Sequence, residues 1–273
     1  MKMIPKFNLH THTTFCDGAN STEEMVRAAI ELGCEGIGFS GHSYIPGETC
    51  WTMTEEGTQD YIADVLRVRE KYGDKIEILL GIEYDVLSNI DTSVFDYVIG
   101  SVHFVSGKKR SIPVDLYKNE LERAIVENFN GNVYDFCEDY YNHLSRVDEK
   151  TGCDIVGHFD LVMKFNERGD LFDVNDKRYR EMAFACLETL AKKDLIFEIN
   201  TGAISRGYRT LPYPYDFILK RMAELGVKIT LTTDCHSARD ILCFYDEAIE
   251  YAKGCGVKEL YFPKGGEFVP YNI

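Results

Sequence analysis

The sequence predicts an α/β fold in which parallel strands alternate with helices around a barrel. Short β-branched runs alternate with amphipathic segments along most of the 273 residues. The runs are apolar on both faces, as in Ile78-Leu79-Leu80, which is typical of parallel strands covered by helices. No linker rich in Pro, Gly or Ser divides the chain, so residues 1–273 are predicted to form a single domain of repeated strand–helix units.

The strand pattern recurs at regular intervals along the chain. The predicted strands are residues 7–10, 36–40, 76–83, 97–102, 154–157, 195–199, 228–233 and 259–262. Helical patterns lie between them. Ser21-Thr22-Glu23-Glu24 predicts a capping box that opens a helix reaching about Leu32, with Gly33 as its stop signal. Further helices are predicted near residues 59–71, 177–192, 215–225 and 240–253.

The interval 104–152 breaks this rhythm. It contains no good strand pattern, whereas residues 116–129 and 133–147 both have a helical one. Connections between neighbouring barrel strands are usually a few residues long, apart from the crossover helix. We therefore expect a helical insertion at the rim of the barrel.

Composition limits the function classes. The chain has 45 acidic and 30 basic residues and a net charge of −15, which argues against nucleic acid or an anionic membrane as a partner. Neither a signal-peptide core nor an apolar run long enough for a membrane span is present in the sequence. The nine cysteines include no CxxC pair, which favours free thiols in a reducing cytoplasm.

Metal-capable side chains follow strand after strand. They are His10, His12, His42, Glu83, His103, His158, Asp234 and His236, with Asp17 as a ninth candidate in Cys16-Asp17-Gly18. In a parallel barrel the carboxyl ends of all strands meet at one mouth. Side chains two residues apart on a strand also point the same way, so His10 and His12 can hold one ion together. His143, in the insertion, is interpreted as a surface or packing histidine.

This donor set favours metal-dependent hydrolysis. Imidazole and carboxylate together are ligands of zinc, iron or manganese. One tetrahedral zinc uses about four protein ligands, so nine donors imply two or three ions. Ions roughly 3.5–4 Å apart can clamp the attacking and leaving oxygens of a phosphoryl group, which makes a phosphate ester the expected substrate.

The motifs also carry a family resemblance that spans residues 8 to 236. In order they are His10-Thr11-His12, Asp17-Gly18, Gly41-His42, Glu83, Ser101-Val102-His103, Gly157-His158-Phe159-Asp160 and Asp234-Cys235-His236. This set resembles the polymerase-and-histidinol-phosphatase (PHP) superfamily. Within it, Glu198-Ile199-Asn200-Thr201-Gly202 and the chain length are similar to the histidinol-phosphate phosphatases of bacterial histidine biosynthesis.

The resemblance implies a distorted (β/α)7, TIM-like barrel, one strand fewer than the strand pattern gives. It also implies hydrolysis of L-histidinol phosphate to L-histidinol and phosphate at a three-metal centre. The implied ligands are His10, His12 and Asp234 for the first ion, His103 and His158 for the second, and Asp17, His42 and His236 for the third, with Glu83 as a bridge.

Phosphate-binding cations are also implied. Relatives with an arginine after the sixth strand have it in the segment that here contains Arg206 and Arg209, of which Arg206 is the first choice for catalysis and substrate binding. Lys164 is a second candidate contact after the fifth strand, although it lacks the bidentate fork of an arginine. The loop 44–51 is a candidate wall for an imidazole ring, and Glu48 a candidate partner for a substrate ammonium.

Two departures from the family pattern leave the substrate open. Gly41 stands where relatives commonly have an acidic residue, and Cys235 lies between two predicted ligands. A phosphoesterase acting on nucleotides or on another small phosphate ester is therefore the main alternative. An amidohydrolase also starts with His-x-His, but such sites commonly use a metal-bridging lysine where this chain has Glu83 or His103. A non-catalytic metal-binding protein is the third alternative, although structural sites rarely leave coordination open.

Overall fold

The computed structural model of the protein describes residues 4–48 and 50–273. Residues 1–3 and Thr49, which belongs to the loop predicted as a pocket wall, lie outside the described residues. Among the helices of the described part, none is long and apolar enough to cross a membrane.

Parallel strands form the centre of the fold. The strands are β1 Phe7–Asn8, β2 Gly36–Phe39, β3 Glu77–Asp85, β4 Tyr97–Ser101, β5 Phe104–Val105, β6 Ile112–Pro113, β7 Ile155–Val156, β8 Ile196–Asn200, β9 Lys228–Thr232, β10 Glu259–Lys264 and β11 Glu267–Asn272. Within the described residues the main sheet has seven strands in the order β1-β2-β3-β4-β7-β8-β9, and every pair is parallel. This confirms the α/β class and the seven-stranded barrel.

The barrel closes at its carboxyl end. Thr11, just after β1, forms a parallel bridge with Cys235, just after β9. The His12 amide donates to the Cys235 carbonyl at 2.9 Å, and the Cys235 amide donates to the His10 carbonyl at 3.2 Å. These bonds place the segments that follow the first and last barrel strands next to each other.

Helices surround the sheet and bury its outer face. They are α1 Thr22–Glu31, α2 Glu55–Tyr72, α3 Lys118–Phe129, α4 Val133–Leu144, α5 Val147–Thr151, α6 Lys177–Leu190, α7 Gly202–Ser205, α8 Asp216–Leu225 and α9 Tyr245–Gly254. The predicted capping box of α1 is confirmed, since the Glu24 amide donates to Ser21 Oγ and the Ser21 amide donates to the Glu24 carboxylate at 2.8 Å. The helix predicted over residues 240–253 begins later, at Tyr245.

The last predicted barrel strand is wrong. Residues 259–262 lie in β10, which pairs antiparallel with β11 and not with the barrel. The carboxyl end of β9 is already bridged to the segment after β1, so little of that edge is open. Gly265 and Gly266 both have positive φ and form a two-residue turn, which fits a β-hairpin.

The insertion is helical, as expected, and also contains strand. Helices α3, α4 and α5 lie between β4 and β7, close to the two predicted helical stretches. The expectation that residues 104–152 contain no strand is wrong, because β5 and β6 form a short antiparallel pair there. With only two residues each, these strands are too short for an alternating pattern to be recognised in the sequence.

Candidate metal centre

The nine predicted ligands lie together at the carboxyl end of the barrel. Each lies within a few residues of the carboxyl end of a barrel strand, except Asp17, which lies further along the connection between β1 and α1. Seven of them are buried, namely His10, His12, His42, Glu83, His103, His158 and Asp234. The side chains of Asp17 and His236 are 31 % and 20 % exposed and form the outer edge of the group.

Their donor atoms form three overlapping sets in which all atoms lie within 4.8 Å of one another. The sets are His10, His12 and Asp234; His42, Glu83 and His103; and His12, Asp17, His42 and His236. The first set and most of the third match the grouping implied by the family resemblance. His42 joins Glu83 and His103 in the second set, whereas His158 is absent from it, although its Nε2 lies 2.9 Å from Glu83 Oε1.

Glu83 is the centre of the group. Its Oε2 lies 2.7 Å from His42 Nδ1 and 3.3 Å from His10 Nε2. Its Oε1 lies 2.9 Å from His158 Nε2 and 3.3 Å from His103 Nε2. The two oxygens of one carboxylate therefore face two different groups of imidazoles, an arrangement that suits a carboxylate bridging two ions.

Several buried atoms of the cluster have no hydrogen-bond partner, and a bound cation would satisfy them. Among the described residues, His10 Nε2, His12 Nε2 and Glu83 Oε2 are fully buried without a hydrogen-bond partner, since the close contact of Glu83 Oε2 with His42 Nδ1 lacks hydrogen-bond geometry. A buried polar atom without a partner costs about 1–3 kcal/mol. Because these are imidazole and carboxylate atoms that converge on one another, the residues present fit divalent metal ions.

The electrostatics of the cluster favour cations. Burial alone would raise the pKa of the Glu83 and Asp17 carboxyls, but the surrounding histidines outweigh it and hold both well below their usual range. Burial lowers the pKa of His10, yet Glu198, Asp234 and Glu83 outweigh it and the net shift is upward. For His12, burial and the neighbouring His236 and His42 lower the pKa to about 3. The mouth thus holds ionised carboxylates next to buried imidazoles.

Asp234 is held at the site by local backbone geometry. It has a φ of +46°, in the left-handed region that residues other than glycine rarely adopt. Its side chain passes so close to Gly202 that a Cβ there would lie 2.7 Å from Asp234 Oδ2. Glycine at position 202 is therefore needed for this carboxylate to reach the cluster.

Two of the three predicted phosphate contacts reach the cavity beside the cluster. Arg206 Nη2 lies 3.1 Å from Asp234 Oδ2, and Arg206 Nη1 donates to the Asp234 carbonyl at 2.9 Å. Lys164 Nζ donates to the Asp115 carbonyl at 2.6 Å and lies 3.1 Å from its carboxylate. Both Arg206 and Lys164 line a cavity of about 250 Å³. Arg209 is buried elsewhere, with its guanidinium 4.5 Å from the Tyr213 ring centroid, and is not among the described residues that line this cavity.

Sequence reasoning missed part of the cavity wall. Asp115, Leu116 and Tyr117 come from the insertion, and no motif marks them. Trp51 lies in the loop predicted as a wall, with its ring centroid 4.7 Å from that of His42. Glu48, from the same loop, is absent from the described lining residues.

Known proteins resemble this chain over most of its length. The family model described as PHP domain matches residues 8–202. A probable histidinol-phosphatase of Schizosaccharomyces pombe is 28 % identical over 97 % of this chain and 92 % of the relative. A histidinol-phosphatase of Lactococcus lactis subsp. lactis is 27 % identical over 94 % of both chains.

Solved structures of histidinol phosphatases are also similar to this chain. The histidinol phosphate phosphatase of Lactococcus lactis, solved in complex with zinc, L-histidinol and phosphate, is 25 % identical with a TM-score of 0.67, and the match covers 96 % of this chain and 98 % of that one. A putative histidinol phosphatase from Listeria monocytogenes is 22 % identical with a TM-score of 0.77, covering 88 % and 99 %. The latter likeness concerns the fold alone.

Proposed function

This chain belongs to the PHP domain family, and we propose that it is a metal-dependent phosphomonoesterase that hydrolyses L-histidinol phosphate to L-histidinol and phosphate. The observation that carries this is the cluster of nine donors, four of them with a buried and unpartnered atom, beside a cavity that also holds two cationic side chains. The cluster fits metal ions, and the cations fit a phosphate group. The product complex of the Lactococcus relative supports histidinol as the leaving alcohol.

We assign two to three divalent ions to the cluster, with zinc as the first candidate and iron or manganese as alternatives. His10, His12 and Asp234 would hold one ion, and His103 and His158 a second, with Glu83 bridging the two. Asp17, His42 and His236 would hold a third. When bound, such ions supply positive charge for phosphoryl oxygens and lower the pKa of water toward neutrality.

The remaining groups of the mouth bind and orient the substrate. Arg206 offers N–H donors to two phosphoryl oxygens, and its charge offsets the negative charge that grows during displacement at phosphorus. Lys164 adds a second positive charge, which the Asp115 contacts hold in place. Trp51 also lines the cavity and lies against the ring of His42. Arg209, the other candidate, is disfavoured because it lies outside this lining.

We propose that the chain acts on a small molecule as one domain over residues 1–273, with the insertion 104–152 forming part of the rim. The net charge of −15 argues against nucleic acid and anionic membranes as partners. All nine cysteines are free thiols, which supports a reducing compartment such as the cytoplasm.

A phosphate-release assay tests this function. Purified protein, stripped with a chelator and reloaded with zinc, manganese or iron, is given L-histidinol phosphate beside a panel of mononucleotides and a panel of amides. We expect metal-dependent turnover in which L-histidinol phosphate exceeds every nucleotide. Equal or faster turnover of a mononucleotide would contradict the proposed substrate, and turnover of an amide would indicate an amidohydrolase. No turnover with any metal would contradict the proposal that the protein is an enzyme.

A further inference from the structure

We propose that Glu198 and Asp85 are positioning residues that fix the ring tautomers of His10 and His103, so that the Nε2 lone pair of each ring faces the metal cluster. This inference rests on the proposed function in that it takes the cluster to bind metal. It adds two buried carboxylates that are not ligands themselves and that belong to different strands, β8 and β3.

Glu198 is saturated with hydrogen-bond donors. Its Oε1 accepts from the His158 amide at 2.6 Å and from Asn200 Nδ2 at 2.8 Å. Its Oε2 accepts from Thr232 Oγ1 at 2.8 Å and lies 2.9 Å from His10 Nδ1. Three donors already occupy the two oxygens, and the residue is 1 % exposed, so the ionised carboxylate, which has no proton to donate, can only accept from the ring nitrogen.

The consequence for His10 follows from the chemistry of a neutral imidazole. If Nδ1 donates its proton to Glu198, then Nε2 carries the lone pair. Nε2 is the atom that lies 3.3 Å from Glu83 Oε2, and it is buried without a hydrogen-bond partner among the described residues. In the neutral ring, the lone pair therefore faces the point where the donor atoms converge.

Asp85 repeats this arrangement on the other side of the cluster. Its Oδ2 accepts from the His103 amide at 2.9 Å and lies 3.1 Å from His103 Nδ1, while Oδ1 accepts from the Leu87 amide at 2.8 Å. The Nε2 of His103 then faces Glu83 Oε1 at 3.3 Å. The two oriented imidazoles thus approach the two oxygens of the bridging carboxylate.

The arrangement is not a general consequence of burial in the barrel. His158 also contacts Glu83 through Nε2, but its Nδ1 is buried with no hydrogen-bond partner among the described residues. A carboxylate behind a metal-binding histidine fixes the ring and raises its basicity, and losing it typically costs 10- to 100-fold in metal affinity. We therefore expect zinc binding by His10 and His103 to depend on Glu198 and Asp85.

Amide substitutions separate positioning from simple packing. Glu198→Gln keeps the volume but introduces an NH2 group where only acceptors fit. If this group faces His10, Nδ1 becomes the acceptor and the proton moves to Nε2, where it points into the cluster. Asp85→Asn does the same to His103. In both cases the metal-free protein keeps its shape while the ring loses its lone pair toward the metal.

The test measures zinc affinity in buffers of fixed free zinc, with bound zinc counted by elemental analysis, together with urea unfolding of the metal-free protein. We expect Glu198→Gln and Asp85→Asn each to bind at least one zinc ion about 10- to 100-fold more weakly. One control variant, Asp154→Asn, should keep wild-type zinc affinity, because it alters a carboxylate that accepts the Val98 amide at 2.9 Å at the opposite end of the barrel.

Nitrogen-15 NMR of the histidine rings in the metal-free wild-type protein supplies a second measurement if a variant fails to fold. At a pH where each ring is neutral, we expect the single ring proton of His10 and that of His103 to reside on Nδ1. Unchanged zinc affinity in both amide variants, or protons on Nε2 in the wild type, would overturn the inference. Zinc binding is read without substrate, so a failure of the phosphatase assay with these results intact would contradict only the proposed function.

Discussion

The metal cluster and the insertion border the same cavity, but they are built in different ways. Most side chains of the cluster lie near the ends of barrel strands, where pairing between neighbouring strands fixes the backbone that carries them. The insertion contributes Asp115, Leu116 and Tyr117 from a segment whose strands, β5 and β6, have only two residues each. The chemical part of the site is thus tied to the core of the fold, whereas part of its substrate-facing wall depends on the packing of an added segment.

This difference predicts that changes in the cluster act on metal binding and catalysis together, whereas changes in the insertion act on substrate affinity. The expected effects fall in size from the centre of the cluster outward.

The largest effect is expected for Glu83→Gln. Each oxygen of this carboxylate faces separate imidazoles, so the amide loses the negative charge that would be shared between two ions. We expect kcat/KM to fall at least about 10³-fold and the bound metal to decrease. Steady-state phosphate release and elemental analysis of the same samples measure this. Full metal content with full activity would contradict the role of Glu83 as a carboxylate shared between two ions.

Arg206→Ala tests the cation that contacts the cluster from the cavity side. We expect kcat to fall about 10²- to 10³-fold, as when one preorganised donor to a charged oxygen is removed, while most of the metal is retained. Arg239, whose side chain is 83 % exposed, offers a matched control, and Arg239→Ala should behave as wild type. If Arg206→Ala stays active, the phosphate contact must be reassigned to Lys164 or Arg209.

Gly202→Ala tests the close approach that brings Asp234 to the site. The added methyl group would lie 2.7 Å from Asp234 Oδ2, so the carboxylate or the backbone must move. We expect a loss of about 1–3 kcal/mol in unfolding free energy, together with weaker zinc binding. Urea unfolding and zinc titration measure the two effects. Gly254→Ala is a suitable control, because the added methyl group would lie in open space. Gly207→Ala is not, because that residue has a positive φ.

The smallest effect is expected in the insertion. Asp115→Asn replaces the charged partner of Lys164 with a neutral acceptor, which is roughly half as strong. We expect KM for L-histidinol phosphate to rise about 5-fold, because a hydrogen bond to a charged group contributes about 1.5–3 kcal/mol, with metal content unchanged. A fall in metal content would show that the insertion supports the cluster and would remove the contrast between the two regions.

The same contrast explains what the sequence could predict. The sequence predicts the seven barrel strands and the nine candidate ligands because local pattern marks where strands end. The carboxyl ends of parallel barrel strands also meet at one mouth, which groups the candidates. Residues 259–262 have the local pattern of a strand as well, but pairing partners depend on which sheet edges remain open, and local sequence does not contain that information. Asp115 and Trp51 reach the cavity through long-range packing, and no spacing rule relates them to the ligands. Glu198 appeared in a family motif, yet its contact with His10 is visible only in three dimensions.

Titration of zinc into chelator-stripped protein, with phosphate release from L-histidinol phosphate followed at each step, tests whether turnover depends on a centre of several ions. We expect no activity without metal and a rise to a plateau that requires two to three bound ions per chain. Full activity in the stripped protein, or a plateau reached with one bound ion, would rule out such a centre.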